Sequence, residues 1–340
     1  MVQSSTSVVT MSPSPRFKDG LRLVAKRYVP KDYRPEGVTL LFFHCTGSHK
    51  EVFEPIIPSL LSLKHATDRT SVVREAWTFD NPSSGEASVY NAGVLDRQAT
   101  GFTVEEWSDC FKELYVSGTF EGHALMPVAH SNGATAVLLA TIPGALPAVP
   151  FKSLILVEPP LITKAAWDEH KEQQEFAMKT ISTMVMKRRD TWATRTDARQ
   201  YFENRLPWSS WDKRVLELFR EHALKEVSVE ENSTPAQKVT LCCSRLQEYT
   251  QYTNTAPHFL AAERVGTIDP AVPVHFIFGE REDVVPWYCH NSVLEKRPVA
   301  SQLQRIPDAG HFVVQENPNA LGVAIARILL TGEAAPRAAL

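Results

Sequence analysis

Met126-Pro-Val-Ala-His-Ser-Asn-Gly-Ala-Thr-Ala136 is a short apolar run that breaks at a serine between small residues and then continues as helix-forming sequence. Its centre, Ala129-His-Ser-Asn-Gly133, has the small-x-Ser-x-small pattern of a nucleophile elbow, a strand-to-helix turn too tight for bulky side chains at its first and last positions. On such a turn Ser131 projects its hydroxyl above a sheet. The amide of Asn132 then lies at a helix N-terminus, where an unpaired N–H and the helix dipole favour negative charge. The chemistry this suggests is nucleophilic acyl transfer. A serine hydroxyl is a poor nucleophile at neutral pH, so it needs a base within hydrogen-bond reach and an acid that holds the base in one tautomer. The oxyanion formed on attack needs aimed N–H donors.

A hydroxyl can be held in this way only above a sheet, and the rest of the chain supplies one. Val38 to Phe43 is a nearly continuous apolar run ending in His44-Cys-Thr-Gly-Ser48, which predicts a buried parallel strand and a loop. Before it, Leu21 to Tyr28 roughly alternates polar and apolar residues, as an antiparallel edge strand does. Helical spacing follows over 51–63, a strand over 71–79, and a helix over 104–115 with Trp107, Phe111, Leu114 and Tyr115 on one face. After the elbow, Lys152 to Val157 reads as a buried strand ending at Glu158-Pro-Pro, and strand texture returns at Val272 to Phe278. A helix to Lys296, a short strand over 302–306 and a closing helix over 319–330 complete the pattern. Strands alternating with helices predict an α/β class with a mostly parallel sheet. Between residues 161 and 265 charges are dense and helical periodicity dominates, with Val239 to Cys243 the one strand-like run, so this segment is expected to be an inserted helical cap. The expected plan is a core of residues 20–160 and 266–330, a cap of 161–265, and loose termini at 1–19 and 331–340.

Composition narrows the function classes. With 340 residues, 43% hydrophobic and 22% charged, the chain can bury a full core and carry an insertion. Its net charge is −3 and its basic cluster is confined to Lys187-Arg-Arg189, which argues against a nucleic-acid partner. No apolar run approaches a membrane span. Met1 to Pro15 is Ser/Thr-rich and lacks the charged start of a signal peptide, and the final Ala-Ala-Leu is a poor match to a peroxisomal signal, so a cytoplasmic location is expected. Cys45, Cys110, Cys242, Cys243 and Cys289 form neither a CxxC pair nor an even framework, which predicts reduced, structural thiols. No ligand cluster recommends a metal, and no cofactor is expected.

Three separated motifs carry a resemblance. His44-Cys-Thr-Gly47 is similar to a His-Gly-x-Gly loop after a strand, Ser131 stands at an elbow, and Asp308-Ala-Gly-His311 is similar to an Asp-x-Gly-His stretch. With these the chain resembles the α/β-hydrolase superfamily over roughly residues 20 to 330. His44 to Pro55, Arg188 to Trp192 and Trp211 to Arg214 look like a fungal branch of lipase-like and toxin-biosynthesis hydrolases, a vibralactone-type cyclase among the forms it suggests. The resemblance implies Ser131 as nucleophile, His311 as base, and the amides of Thr46 and Asn132 as oxyanion donors. Cys45 departs from the family's Gly and is expected to be a small residue packed under the loop, with His44 as its buttress. The family's Gly-x-x-Asp-x-x-x-Pro spacing falls on Glu282, with an Asp one place later. Asp283 is expected to be the acid, Glu282 is the alternative, and Glu158 is held in reserve. Serine at the elbow argues against epoxide hydrolase or dehalogenase chemistry, in which the family uses Asp. His123, His130 and His290 are expected to be structural.

Trp167, Phe176, Met178, Met184, Met186, Trp192, Trp208 and Trp211 either line an apolar acyl pocket or pack the cap's own helices, and Trp192, Met184 and Trp211 are expected at the substrate. The expected function is a serine hydrolase acting through an acyl-enzyme on a small apolar ester or lactone in fungal secondary metabolism. A lactone-forming cyclase or intramolecular acyl transferase on the same triad is the alternative, and a non-catalytic binding protein of the same fold is the rival from another class. Oligomeric state stays open, a homodimer being compatible.

Overall fold

The computed structural model describes residues 2–146, 150–231, 234–297 and 302–331. In chain order the first half contains β1 (Gln3–Thr10), β2 (Arg22–Val29), β3 (Val38–Phe43), α1 (Ile57–Leu61), β4 (Val73–Asp80), α2 (Ala87–Leu95), α3 (Val104–Val116), β5 (Ala124–His130), α4 (Asn132–Ala140) and β6 (Leu154–Val157). There follow α5 (Lys164–Glu169), α6 (Lys171–Lys187), β7 (Thr191–Trp192), α7 (Arg195–Glu203), α8 (Lys213–His222), β8 (Leu224–Glu231), β9 (Thr234–Leu241), α9 (Arg245–Thr253) and α10 (Ala256–Thr267). The chain closes with β10 (Val274–Gly279), α11 (Trp287–Lys296), β11 (Gln302–Ile306), α12 (Val313–Glu316) and α13 (Pro318–Thr331).

Eight strands form the central sheet in the order β1-β2-β4-β3-β5-β6-β10-β11. Strands β1 and β2 run antiparallel and the rest are parallel. The fold is therefore an α/β-hydrolase fold with a mostly parallel central sheet flanked by helices. The continuous apolar texture of β3 follows from its position, because a strand between two helical layers is buried on both faces. Alternation along it sends Leu41 and Phe43 to one core with α3, α4 and α10, and Val38, Leu40 and Phe42 to the other with α1 and α13.

Three features depart from expectation. Residues 3–10, expected in a loose terminus, pair with β2 from Gln3↔Val29 to Thr10↔Arg22 and extend the sheet. The insertion between β6 and β10 is not purely helical, because β8 and β9 pair as an antiparallel hairpin joined by β7. A hairpin needs alternation and not an apolar run, which is why Leu224-Lys-Glu-Val-Ser-Val-Glu-Glu231 lacks the four-residue apolar signature of a buried strand. Finally, α10 lies within the core, where Ala261, Ala262 and Val265 pack with α4, so the insertion ends before Ala256 and not at 265. The tail from 332 onward lies outside the described residues.

Candidate active site

Parallel strands bring their C-terminal ends to one edge, and in open α/β sheets that edge is where sites form. Here β3 ends in His44–Ser48, β5 in Ser131, β6 in Glu158, β10 in the 279–286 loop, and β11 in the turn to His311.

Ser131 links β5 to α4 with φ 54° and ψ −127°, a conformation costly for a side-chain-bearing residue. Its N–H donates to Val157 O at 3.0 Å, which ties the turn to the end of β6. Gly133 lets α4 pass close beneath the oxyanion loop, since a Cβ there would stand 2.7 Å from Phe43 O and 2.9 Å from His44 O. Ala129 is fully buried on the other side of the turn. The backbone is also left-handed at Glu158 (φ 44°) and Asp308 (φ 57°), so strained residues flank three sides of the same edge.

His311 Nε2 lies 3.0 Å from Ser131 Oγ, and Nδ1 lies 3.3 Å from Glu158 Oε2. All three residues are buried, which shields their interaction from bulk water. The acid expected from the β10 loop is corrected by this geometry. Asp283 Oδ1 accepts from the backbone N–H of His311 at 2.8 Å and so holds the main chain, not the ring. Glu282 Oε1 accepts from Trp287 N at 2.9 Å and caps α11. Glu158, the residue held in reserve, faces the imidazole. Its other oxygen accepts from Gly279 N at 2.6 Å, and Oε2 also lies 3.4 Å from His290 Nε2. Burial pushes the Glu158 carboxyl up, but the His290 and His311 imidazoles beside it outweigh burial and hold it down at about 2. It is therefore a carboxylate at neutral pH.

Two histidines expected to be structural act on the site's geometry. His130 Nε2 donates to the carbonyl of His311 at 2.8 Å, and His290 stacks on Phe278 with ring centroids 3.9 Å apart while adjoining Glu158. His44 Nδ1 donates to Cys45 O at 2.7 Å and Nε2 accepts from Asn81 N at 3.1 Å, so the ring clamps the loop that follows β3. Burial holds its pKa down at about 3, so it stays neutral. Cys45 is buried, accepts from Gln315 Nε2 at 3.2 Å, and burial pushes its thiol up to about 12. A thiol of that kind is not a nucleophile at neutral pH.

Thr46 and Asn132 line the cavity beside Ser131. As the first residue of α4, Asn132 has an N–H without an intrahelical acceptor. Its side chain donates to Thr46 Oγ1 at 2.7 Å and to Gln251 Oε1 at 3.1 Å, joining the loop, the helix and α9. Beneath the loop lies a feature with no signal in sequence spacing: Lys50 Nζ, almost fully buried, is 3.0 Å from each of Glu51, Asp80 and Glu86. On the other side Gly47 abuts Glu248, whose carboxylate pairs with Arg188.

The cavity holds about 80 Å³, room for only a few water-sized groups. Its apolar wall is Ile162, Trp167, Met178, Ile181, Val284 and Val285. The three residues expected at the substrate are elsewhere. Trp192 is buried in a separate core of the insertion with Phe202, Trp208 and Phe219. Trp211 packs against that core and against Phe312, and Met184 is 66% exposed. Trp167 and Met178 were among the wider set of candidates; Ile162 and Val284 carry no spacing that marks them. Among the described residues no group of three or more His, Cys, Asp or Glu could hold a metal ion, and no helix is long and apolar enough to cross a membrane.

Solved structures share this fold at low identity. A peroxisomal alpha-beta-hydrolase from Saccharomyces cerevisiae superposes with a TM-score of 0.72 at 20% identity, covering 100% of this chain and 91% of its own. E-2-(acetamidomethylene)succinate hydrolase gives 0.64 at 16% identity, covering 96% and 98%. A Mycobacterium tuberculosis esterase gives 0.59 at 16%, covering 96% and 92%. No curated protein matches the sequence. Residues 40–324, most of the chain, match the family described as the alpha/beta hydrolase family, and the protein belongs to that family.

Proposed function

We propose that the protein is a serine hydrolase that transfers acyl groups from a small, neutral ester or lactone through an acyl-enzyme on Ser131. The observation that carries this reading is the unbroken chain from Ser131 Oγ to His311 at 3.0 Å and from His311 to Glu158 at 3.3 Å. Ser131 Oγ attacks the acyl carbon while His311 Nε2 takes its proton. Glu158 keeps the Nδ1 proton on its own side and stabilises the imidazolium as it forms. The amides of Asn132 and Thr46 receive the oxyanion, each donor contributing roughly 2.7–4 kcal/mol by analogy with measured deletions. His311 returns the proton to the leaving oxygen, then activates the second nucleophile that releases the acyl group. The cavity favours an uncharged substrate, since among the described residues no Lys or Arg lines it.

A fluorophosphonate probe tests the reading. The intact protein should be labelled on Ser131, as located by peptide mass spectrometry, and Ser131→Ala should abolish labelling and ester turnover with its circular dichroism unchanged. A native protein that resists the probe and turns over no ester would instead be a binding protein built on a hydrolase fold.

A further inference from the structure

Helix α9 touches the surroundings of both proposed oxyanion donors. Gln251 accepts from the Asn132 side chain at 3.1 Å. Three residues earlier on the same helix, Glu248 lies against Gly47, the residue that follows Thr46. Gly47 has φ 72°, and a Cβ added there would stand 3.3 Å from Glu248 Oε2. The Glu248 side chain is only 11% exposed, so little water screens its charge. That charge is felt on the loop, since burial first and Glu248 after it push the Cys45 thiol up.

A bare carboxylate behind this loop would work against the chemistry in front of it. The transition state of acyl transfer gathers negative charge on the oxygen that the amides of Thr46 and Asn132 face, and like charges in a poorly screened site repel. A neutral ester in the ground state carries no such charge, so the penalty falls on the transition state alone. The carboxylate is not bare. Arg188 Nη1 donates to Glu248 Oε1 at 3.0 Å and Nη2 donates to Oε2, a two-pronged pair. Both side-chain hydrogen bonds of Arg188 go to Glu248, and its buried Nε has no acceptor among the described residues. The neighbouring charges Arg245 and Asp190 pair with each other at 2.7 Å, so the balance at Glu248 rests on Arg188.

We infer that Arg188 is a positioning residue for the reaction: by neutralising Glu248 behind Gly47, it keeps a negative charge from opposing the oxyanion. The inference rests on the proposed acyl transfer at Ser131 and adds a residue that does not line the cavity. It gives one member of the basic cluster Lys187-Arg-Arg189 a partner within the protein. Charge balance and a purely mechanical tie between α6, α9 and the loop predict opposite results when both partners are removed. Under charge balance, losing Glu248 as well as Arg188 restores neutrality. Under a mechanical tie, it removes the last of the contact.

The test compares inhibition by trifluoromethyl propyl ketone and by methyl propyl ketone. Ser131 Oγ adds to the carbonyl carbon of the first, its proton passes to His311, and the carbonyl electron pair becomes an oxyanion; the second binds as the neutral ketone. The ratio of the two inhibition constants therefore reads stabilisation of the anion. Arg188→Met, which leaves Glu248 bare, should weaken the trifluoroketone relative to the plain ketone by about tenfold or more, a change of about 1.4 kcal/mol. On a short ester kcat should fall with it, while KM moves less than about threefold. Adding Glu248→Gln should bring the ratio back to within about threefold of native, and Glu248→Gln alone should bind the trifluoroketone at least as tightly as the native protein. A double variant as impaired as Arg188→Met, or a ratio in Arg188→Met within about threefold of native, would overturn the inference. Where Arg188→Met fails to fold, Arg188→Gln, which keeps a donor toward Glu248, takes its place with the same expectation. If the native protein binds the trifluoroketone no more tightly than the plain ketone and resists the fluorophosphonate, the acyl-transfer reading fails and takes this inference with it. Tight native binding with ratios that the variants leave unmoved sinks the inference alone.

Discussion

Glu158→Gln is the sharpest perturbation of the proposed triad, because the surrounding hydrogen bonds dictate how the new amide must sit. Gly279 N–H donates to Glu158 Oε1 at 2.6 Å, so the amide oxygen of the glutamine stays there and its NH₂ replaces Oε2. That NH₂ then faces His311 Nδ1 at the position now 3.3 Å away. Two donors cannot face each other, so His311 must carry its proton on Nε2, pointing at Ser131 Oγ, where a base is needed. The analogous wrong-tautomer substitution in another serine enzyme costs about 10⁴ in kcat, or about 5.5 kcal/mol of barrier. We expect a loss of the same order in kcat/KM on a short p-nitrophenyl ester, with slowed fluorophosphonate labelling and an unchanged circular dichroism spectrum. Asp283→Asn is the control. Its amide oxygen can still accept from His311 N and Val284 N, and the lost attraction to Arg281 is an exposed pair 3.3 Å apart worth at most about 1 kcal/mol. Its activity should fall less than about tenfold. If Asp283→Asn is the more damaging of the two, or Glu158→Gln keeps more than about a tenth of native activity, the assignment of the acid to β6 is wrong.

Other consequences follow from the same geometry. Lys50→Met leaves Glu51, Asp80 and Glu86 around an apolar side chain and should cost about 3–5 kcal/mol, read as a lowered denaturation midpoint; a loss below about 1 kcal/mol would remove the cluster from the fold's support. Burial holds His44 and His130 down at about 3, and His258 and His275 at about 4, against 6.5 for an ordinary histidine. The unfolded chain therefore binds more protons below about pH 6.5, and stability should fall as the pH is lowered toward 4, by up to about 1.4 kcal/mol per proton per pH unit. Asp80, pushed up by burial to about 7, and Glu106, also raised by burial, work in the opposite direction, while burial lowers His49 and His123 as well, and a melting temperature that stays flat across this window would contradict the neutral histidines. In ¹⁸O-labelled water a hydrolase must place label in the released acid; product that stays unlabelled would identify an internal hydroxyl as the second nucleophile and make the enzyme a cyclase.

The parts of this fold that were legible in the sequence are those in which one physical demand leaves one pattern. Strands buried on both faces must be apolar throughout, and β3, β6 and β10 read that way. The elbow leaves no room for a side chain at Gly133, 2.7 Å from the strand behind it. Strand β1 escaped because an edge strand with a largely exposed surface can be written as Gln-Ser-Ser-Thr-Ser-Val-Val-Thr, a composition that also suits a loose tail. The pocket wall escaped for a different reason. Aromatic residues at helical spacing fit a small core as well as a ligand, and Trp192, Trp208 and Phe202 form such a core within the insertion. Which face of α6 turns toward Ser131 depends on how the insertion docks, through contacts such as Asp212 N to Gln315 O at 2.8 Å and Phe102 N to Gln247 Oε1 at 2.6 Å. Pairings more than a hundred residues apart leave no local trace.

The position of the acid was ambiguous for a reason that lies in the sheet itself. Strands β6 and β10 are parallel neighbours, paired from Val274↔Leu154 to Ile277↔Val157, and neighbouring strands lie about 4.8 Å apart. A carboxylate leaving the end of either strand can therefore reach the same imidazole nitrogen, and spacing along the chain does not say which one does. What decides the matter is how the four polar groups of His311 are shared. Asp283 Oδ1 holds its N–H, His130 holds its carbonyl, Ser131 meets Nε2 and Glu158 meets Nδ1. Gly310 makes the first of these possible, since any side chain there would strike the Asp283 carboxylate. With Asp283 drawn to the main chain, its short side chain cannot also reach the ring, and the longer Glu158 takes that place from the adjacent strand. Asp283, favoured as the acid one place beyond the expected spacing, thus still acts on His311, through the backbone and not through the imidazole.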